Sequence, residues 1–168
     1  MNRVAEWVVV PSGETEIEAV ARQCRRLVNQ RALLAAGVAI IPVPGLDWLT
    51  DVGVLVRLLP EINAAFGLSP GQIERLAPDR KLAVFKALSV GGGMLVGRVV
   101  TRELVFTLLR VAGVRLTAQQ AAKFVPVAGQ AVSAALTFSA LKMVCEIHIR
   151  QCIAVARELQ LPEPSDLL

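Results

Sequence analysis

Apolar side chains return every three, four or seven positions along most of this chain, a spacing that predicts helices throughout. Ile17, Val20, Cys24, Leu27 and Leu34 draw one stripe along a helix reaching about Ala39, with Thr15 and Glu18 placed as its capping box. IPVPG, residues 41–45, ends that helix, because each proline biases the residue before it away from helical torsions. Leu46 to Gly67 reads as a second helix bent at Pro60, and the two make a hairpin. Ser69 and Pro70 supply the cap and first position of a short helix through Leu76, and Pro78 with Asp79 opens another that runs into Gly91, Gly92 and Gly93. A further helix is expected over roughly Arg98 to Val111, a short one capped by Thr117, and a long last one after Pro126 and Gly129 to about Leu159. The strict alternation that marks strands is nearly missing. The expected fold is all-α: a compact bundle of about six helices built from two helical hairpins with Pro/Gly turns. Residues 1–13 form an extension, 14–160 a single domain and 161–168 a frayed tail. Pro42 to Gly45 and Pro126 to Gly129 echo each other half a chain apart, which fits either a duplication or coincidence in a chain rich in small residues.

The run AAGVAIIPVPGLDWLTDVGVLVRLLPEINAAFGL, with the later KFVPVAGQAVSAALTFSALKM, carries two short turns: Pro-x-Pro-Gly-x-Asp at Pro42 to Asp47 and Phe-x-Pro-x-x-Gly at Phe124 to Gly129. Over residues 20 to 160 the chain resembles the GTPase-associated helical domain of unknown function, family 697, which often sits C-terminal to Era-like GTP-binding domains. That resemblance implies an all-helical module, sometimes found in bacterial inner-membrane proteins, and brings no catalytic residues with it. No Gly-x-x-x-x-Gly-Lys-Ser/Thr loop occurs here, so nucleotide chemistry would belong to another polypeptide.

Composition sharpens this picture. The 168 residues are 54% hydrophobic and 4% aromatic, enough to fill one core and too short a chain for two catalytic domains. One His, no Tyr and three Cys leave few groups from which to build a catalytic constellation. The net charge of +4 is a mild excess that names no partner. Cys24, Cys145 and Cys152 are odd in number, and the start MNRVAEWVVVPSGETE lacks a signal-like apolar run, which together predict a reducing, cytoplasm-facing protein.

Four places invite a functional reading. The glycines from Gly91 to Gly97 lack the preceding strand and the Lys of a phosphate cradle, so Gly93 and Gly97 are better read as a smooth face for close helix packing, alongside the Pro126 and Gly129 turn. Cys145, His148 and Cys152 share one face of the last helix. A rise of about 1.5 Å per residue spreads the two Cys over about 10.5 Å, too far for a disulfide and at the limit for one zinc ion. Their face also holds Leu141, Val155 and Leu159, whereas Lys142, Glu146, Arg150 and Arg157 line another, so a buried apolar face is expected and no metal. Asp47 and Asp51 fit the first turn of a helix, where carboxylates complement the dipole; Asp47 is also the polar member of the family-like turn and a candidate contact. Arg22, Arg25, Arg26 and Arg31 precede the uncharged stretch Ala32 to Leu46, a basic collar suited to anionic headgroups with an apolar hairpin dipping inward.

The longest uncharged run, Phe124 to Leu141, sits at the lower limit for a spanning helix and is diluted by Pro126, Gln130, Ser133, Thr137 and Ser139. The expectation is a non-enzymatic interaction module on the cytoplasmic side, associated with the inner membrane, with no cofactor. Its partner is a protein, plausibly a GTPase, and its surfaces are Arg22, Arg25, Arg26, Arg31 and the turn Pro42, Pro44, Gly45, Asp47. Homo-oligomers are allowed; nucleic acid is disfavoured, because aromatics do not interleave with the basic residues. A soluble helical adaptor, inhibitor or immunity-type protein is the competing reading, and an enzyme needs a pocket that gathers Asp47, His148 and an Arg.

Overall fold

The computed structural model describes residues 10, 11, 13–38, 46–91, 96, 97, 100–105, 107, 108, 110 and 129–160; for 38, 46–51, 90, 91, 129–134, 136 and 137 only the backbone is described. The fold is all-α. Among the described residues five helices have both bounds defined, α1 (Glu14–Val38), α2 (Leu46–Ala65), α3 (Pro70–Ile73), α4 (Pro78–Gly91) and α5 (Gly129–Glu158), residues 102–105 are helical as well, and no strand occurs.

α1 begins one residue earlier than its expected cap. The Gly13 carbonyl accepts the Ile17 N–H at 3.0 Å, so Thr15 lies inside the first turn and is not the cap, while Glu14 and Glu16 complement the positive end of the helix. The buried stripe runs through Ile17, Ala21, Cys24, Val28, Ala32 and Ala35. Leu34, expected on that stripe, is 70% exposed: it continues the flank of Val20 and Leu27, which are only half-buried. Alanines take the last two buried positions.

α2 and the turn after it carry five of the largest buried side chains, Leu55, Leu58, Leu59, Ile62 and Phe66, each worth about 1.5–3 kcal/mol on removal from water. Pro60 lies inside the helix on its exposed side, away from the buried face. The helix ends on Gly67, whose φ of 72° lets the Gly67 N–H reach the Ala64 carbonyl at 3.1 Å and the Leu68 N–H reach Asn63 at 2.8 Å. A Cβ on Gly67 would meet Val10 Cγ2 at 3.1 Å. Pro11 is buried and its carbonyl accepts from Gln160 Nε2 at 2.9 Å, so Val10 and Pro11, expected in an extension, belong to the packed domain.

The Ser69 N–H donates to Gln72 Oε1 at 3.0 Å and the Ser69 carbonyl accepts from Gln72 and Ile73, starting α3 where the Ser-Pro pair predicts it. α4 starts at Pro78 as expected. Beyond it, Gly97 sits in a turn with φ 68°, not in a helix, so it cannot be half of a helical packing face with Gly93. Its bare Cα still allows close approach, since a Cβ there would lie 2.6 Å from Ile73 Cδ1. The helix expected from Arg98 is entered at residue 102, with Thr101 Oγ1 accepting the Leu104 N–H at 3.3 Å.

α1 packs most extensively on α5, α2 lies against both, and α4 flanks α5. Two ion pairs fix how α1 and α5 run: Glu14 with Arg157, and Arg25 with Glu146. Residue numbers rise along one helix as they fall along the other, so the helices are antiparallel.

Candidate functional site: a buried polar cluster and an arginine-rimmed groove

α5 presents chemistry on two sides. Inward, Cys145, His148 and Cys152 are fully buried with Leu141, Val155 and Leu159, the face the helical spacing predicts. Asn63 of α2 joins them, taking the Cys152 thiol hydrogen on Oδ1 over 3.6 Å, while Cys152 Sγ stands 3.8 Å from His148 Nε2. Burial pushes the Cys145 thiol up to about 12 and Cys152 beyond that, and the nearby Cys24 thiol up to about 11. Burial also lowers His148 to about 4, opposed weakly by the Leu59 backbone and the Gln151 side chain. Cys, His and Asn together have the composition of a thiol nucleophile with its base, but thiols held protonated and away from solvent have no nucleophilic reach. Among the described residues His148 Nδ1 finds no hydrogen-bond partner. Among the described residues no group of three or more Cys, His, Asp or Glu is placed to hold a metal.

Outward, α1 and α5 border an open groove of about 440 Å³. Half-buried Ile153 and exposed Ala154 are its accessible apolar lining, with Ile17 and Ala21 buried beneath them, and Arg22 and Arg25 of α1 face Arg150 and Arg157 of α5 on its rims, with Glu18 beside Arg22. Arg25 donates from Nε and Nη2 to both oxygens of Glu146, each at 2.9 Å, and Arg150 Nε adds a third bond at 3.2 Å. The Arg25 guanidinium, helped by Arg150, holds the Glu146 carboxyl below the usual range. At the other end Arg157 grips Glu14, its Nε 3.1 and 3.0 Å from the two carboxylate oxygens, and lowers that carboxyl too. Eleven residues separate Glu14 from Arg25 and Glu146 from Arg157, about three helical turns on each helix, so the two pairs clasp the groove at its ends.

The four collar arginines do not share a face. Arg22 pairs with Glu18 at 3.5 Å on the groove rim; Arg25 is spent on Glu146; Arg31 points to α2, where it meets Glu61 at 3.7 Å. Arg26 is exposed and makes no ion pair among the described residues. At roughly 100° per residue, Arg22 and Arg31 lie on opposite sides of α1. Asp47 and Asp51 stand in the first two turns of α2, with only their backbone described, and Gly129 is the first residue of α5. Pro42, Pro44, Gly45, Gly93 and Pro126 lie outside the described residues.

Arg150 and Arg157 were legible only as α5 surface charges. The signal that joins them to α1 is the shared eleven-residue interval between opposite charges on two predicted helices. A second feature bears on membranes: Val52–Ile73 is long and apolar enough to cross one, with a mean hydropathy of 1.3, yet half of that window is buried inside the fold. No family model, curated protein or solved structure matches the chain.

Proposed function

We propose that this chain is a non-enzymatic helical interaction module that works on the cytoplasmic side of a membrane, accessory to a separate GTPase or other protein partner. One observation supports the reading: helices far apart in sequence bring four arginines to the rims of one open groove. Three free, buried thiols suit a reducing compartment. The resemblance of the Pro42 to Asp47 and Phe124 to Gly129 turns to GTPase-associated domains supports the choice of partner. The test pairs two measurements on the whole chain: co-sedimentation with vesicles of phosphatidylserine and phosphatidylcholine, and affinity capture from the native host in mild detergent followed by mass spectrometry. Membrane-dependent recovery of one reproducible partner supports the module. Replacement of Arg22, Arg25, Arg26 and Arg31 by Gln weakens vesicle binding at low salt if the collar contributes. A chain that binds neither vesicles nor protein and turns over a metabolite ends the reading.

The soluble adaptor is a second reading, favoured by the engagement of Arg25 and Arg31 in ion pairs between helices and by the half-burial of Val52–Ile73. Recovery in the supernatant after lysis without detergent, as a monodisperse complex, selects it.

A further inference from the structure

From α4 we infer a membrane-contacting face: its outer stripe lies in the surface of an anionic bilayer, with Leu82 and Phe85 among the acyl chains and Lys81 and Lys86 at the headgroups. This names a surface for the membrane-associated reading and rests on it. α4 is apolar on two sides. Val84 is fully buried, and Ala83, Ala87 and Leu88 are half-buried against the core. On the opposite side Leu82 is 67% and Phe85 59% exposed, so their apolar surface faces water. At roughly 100° per residue, Leu82, Phe85 and Ser89 fall within about 60° of one another, and Lys81 and Lys86 border that stripe about 40° to either side. Ser89 does not spoil the stripe, because its Oγ donates to the Phe85 carbonyl over 2.9 Å and needs no water for that hydrogen.

Charge selects the occupant. Neither Lys81 nor Lys86 makes an ion pair among the described residues, whereas Arg22, Arg25 and Arg31 are held by Glu18, Glu146 and Glu61. Asp79, the one carboxylate on α4, stands about 10 Å along the axis from Lys86 and on the far side of the helix from Lys81. Arg80, Lys81, Lys86, Arg98 and Arg102 follow it in sequence with no further carboxylate until Glu103. A bilayer offers hydrocarbon beneath a layer of phosphates, and an apolar stripe with a lysine on each border matches that layering. The lysine stems follow Leu82 and Phe85 inward while the ammonium groups stay with the phosphates. A second copy does not match, since two such stripes laid face to face bring lysine beside lysine whichever way the helices run. A protein partner needs more area: an aromatic side chain buries about 150–250 Å², and a stable interface about 800 Å² per partner, which one Phe and one Leu on a convex helix do not supply.

The test sediments the full chain with vesicles of phosphatidylcholine and phosphatidylserine, beside vesicles of phosphatidylcholine alone. At about 0.1 M salt the chain binds the anionic vesicles at least about tenfold more tightly, and the preference fades near 1 M. Leu82→Ala with Phe85→Ala lowers that affinity at least about tenfold at unchanged helicity by circular dichroism. Lys81→Gln with Lys86→Gln lowers it about fivefold or more and flattens the salt dependence. Equal binding to both kinds of vesicle, or unchanged binding by the Leu82 and Phe85 double variant, overturns the face. So does a captured protein partner that depends on Leu82 and Phe85 while vesicles are ignored, or a dimer by light scattering that Phe85→Ala splits. If the α4 variants bind like the native chain while Gln at Arg22, Arg25, Arg26 and Arg31 abolishes binding, α4 is wrong and the membrane reading stands; if the native chain binds no vesicle, both fall.

Discussion

The two sides of α5 hold residues of comparable chemical interest, and burial alone separates their fates. Cys145, His148 and Cys152 face the core, where desolvation holds the thiols protonated and the imidazole neutral, so the cluster specifies packing. Glu146, Arg150 and Arg157 face water, keep their charge and make a surface. Residue types that often serve catalysis are buried here, and charged ones usually dismissed as solvated line the groove with α1. Residue type without burial misleads.

That contrast breaks or sharpens under substitution, most strongly between neighbours in sequence. Ile149 is fully buried and Arg150 is exposed, so Ile149→Ala lowers stability by about 2–5 kcal/mol in urea unfolding, while Arg150→Gln moves the midpoint little. Equal losses would put the boundary between core and surface elsewhere.

Acid probes the inner side next. Folded His148 stays neutral down to about pH 4, whereas in the unfolded chain it takes a proton near its ordinary 6.5. As pH falls below 6.5 the unfolded state binds a proton that the folded state refuses, and stability drops by on the order of 3 kcal/mol by pH 4. Above 6.5 this contribution is fully present. In His148→Gln the slope between those two pH values flattens; if it does not, other groups carry the acid sensitivity.

The clasps come after that. Arg25→Gln costs about 0.2–1 kcal/mol, since the pair is only part-buried and Arg150 still serves Glu146. Arg157→Gln has the smallest effect, visible at low salt as a slight shift in melting temperature and gone at about 1 M. A larger loss for Arg157 than for Arg25 would mean that the Glu14 end anchors α1.

Much of this fold was legible. Period, Ser-Pro caps and prolines placed α2, α3, α4 and α5 within a few residues, because those signals are local and each has one mechanism. Thr15 misled because a capping box needs only a short motif, and Gly13 started the helix first. Leu34 misled because a stripe drawn by spacing alone drifts around the helix, whereas burial followed Ala32 and Ala35. The inward face of Cys145, His148 and Cys152 was readable from its apolar companions. The groove was not, since pairing Arg25 with Glu146 spans 121 residues and depends on which helices become neighbours.

The matched intervals of the two clasps also set the stagger of the bundle. Sliding α5 by three residues in one direction brings Glu146 beside Arg22 but strands Arg157 beside Pro11; sliding it by four the other way offers Glu18 to Arg157 and only Asn29 to Glu146. Either slip forfeits one pair, and only the observed alignment satisfies both, so these surface charges of small individual worth act together as a vernier that tells the two longest helices where to stop.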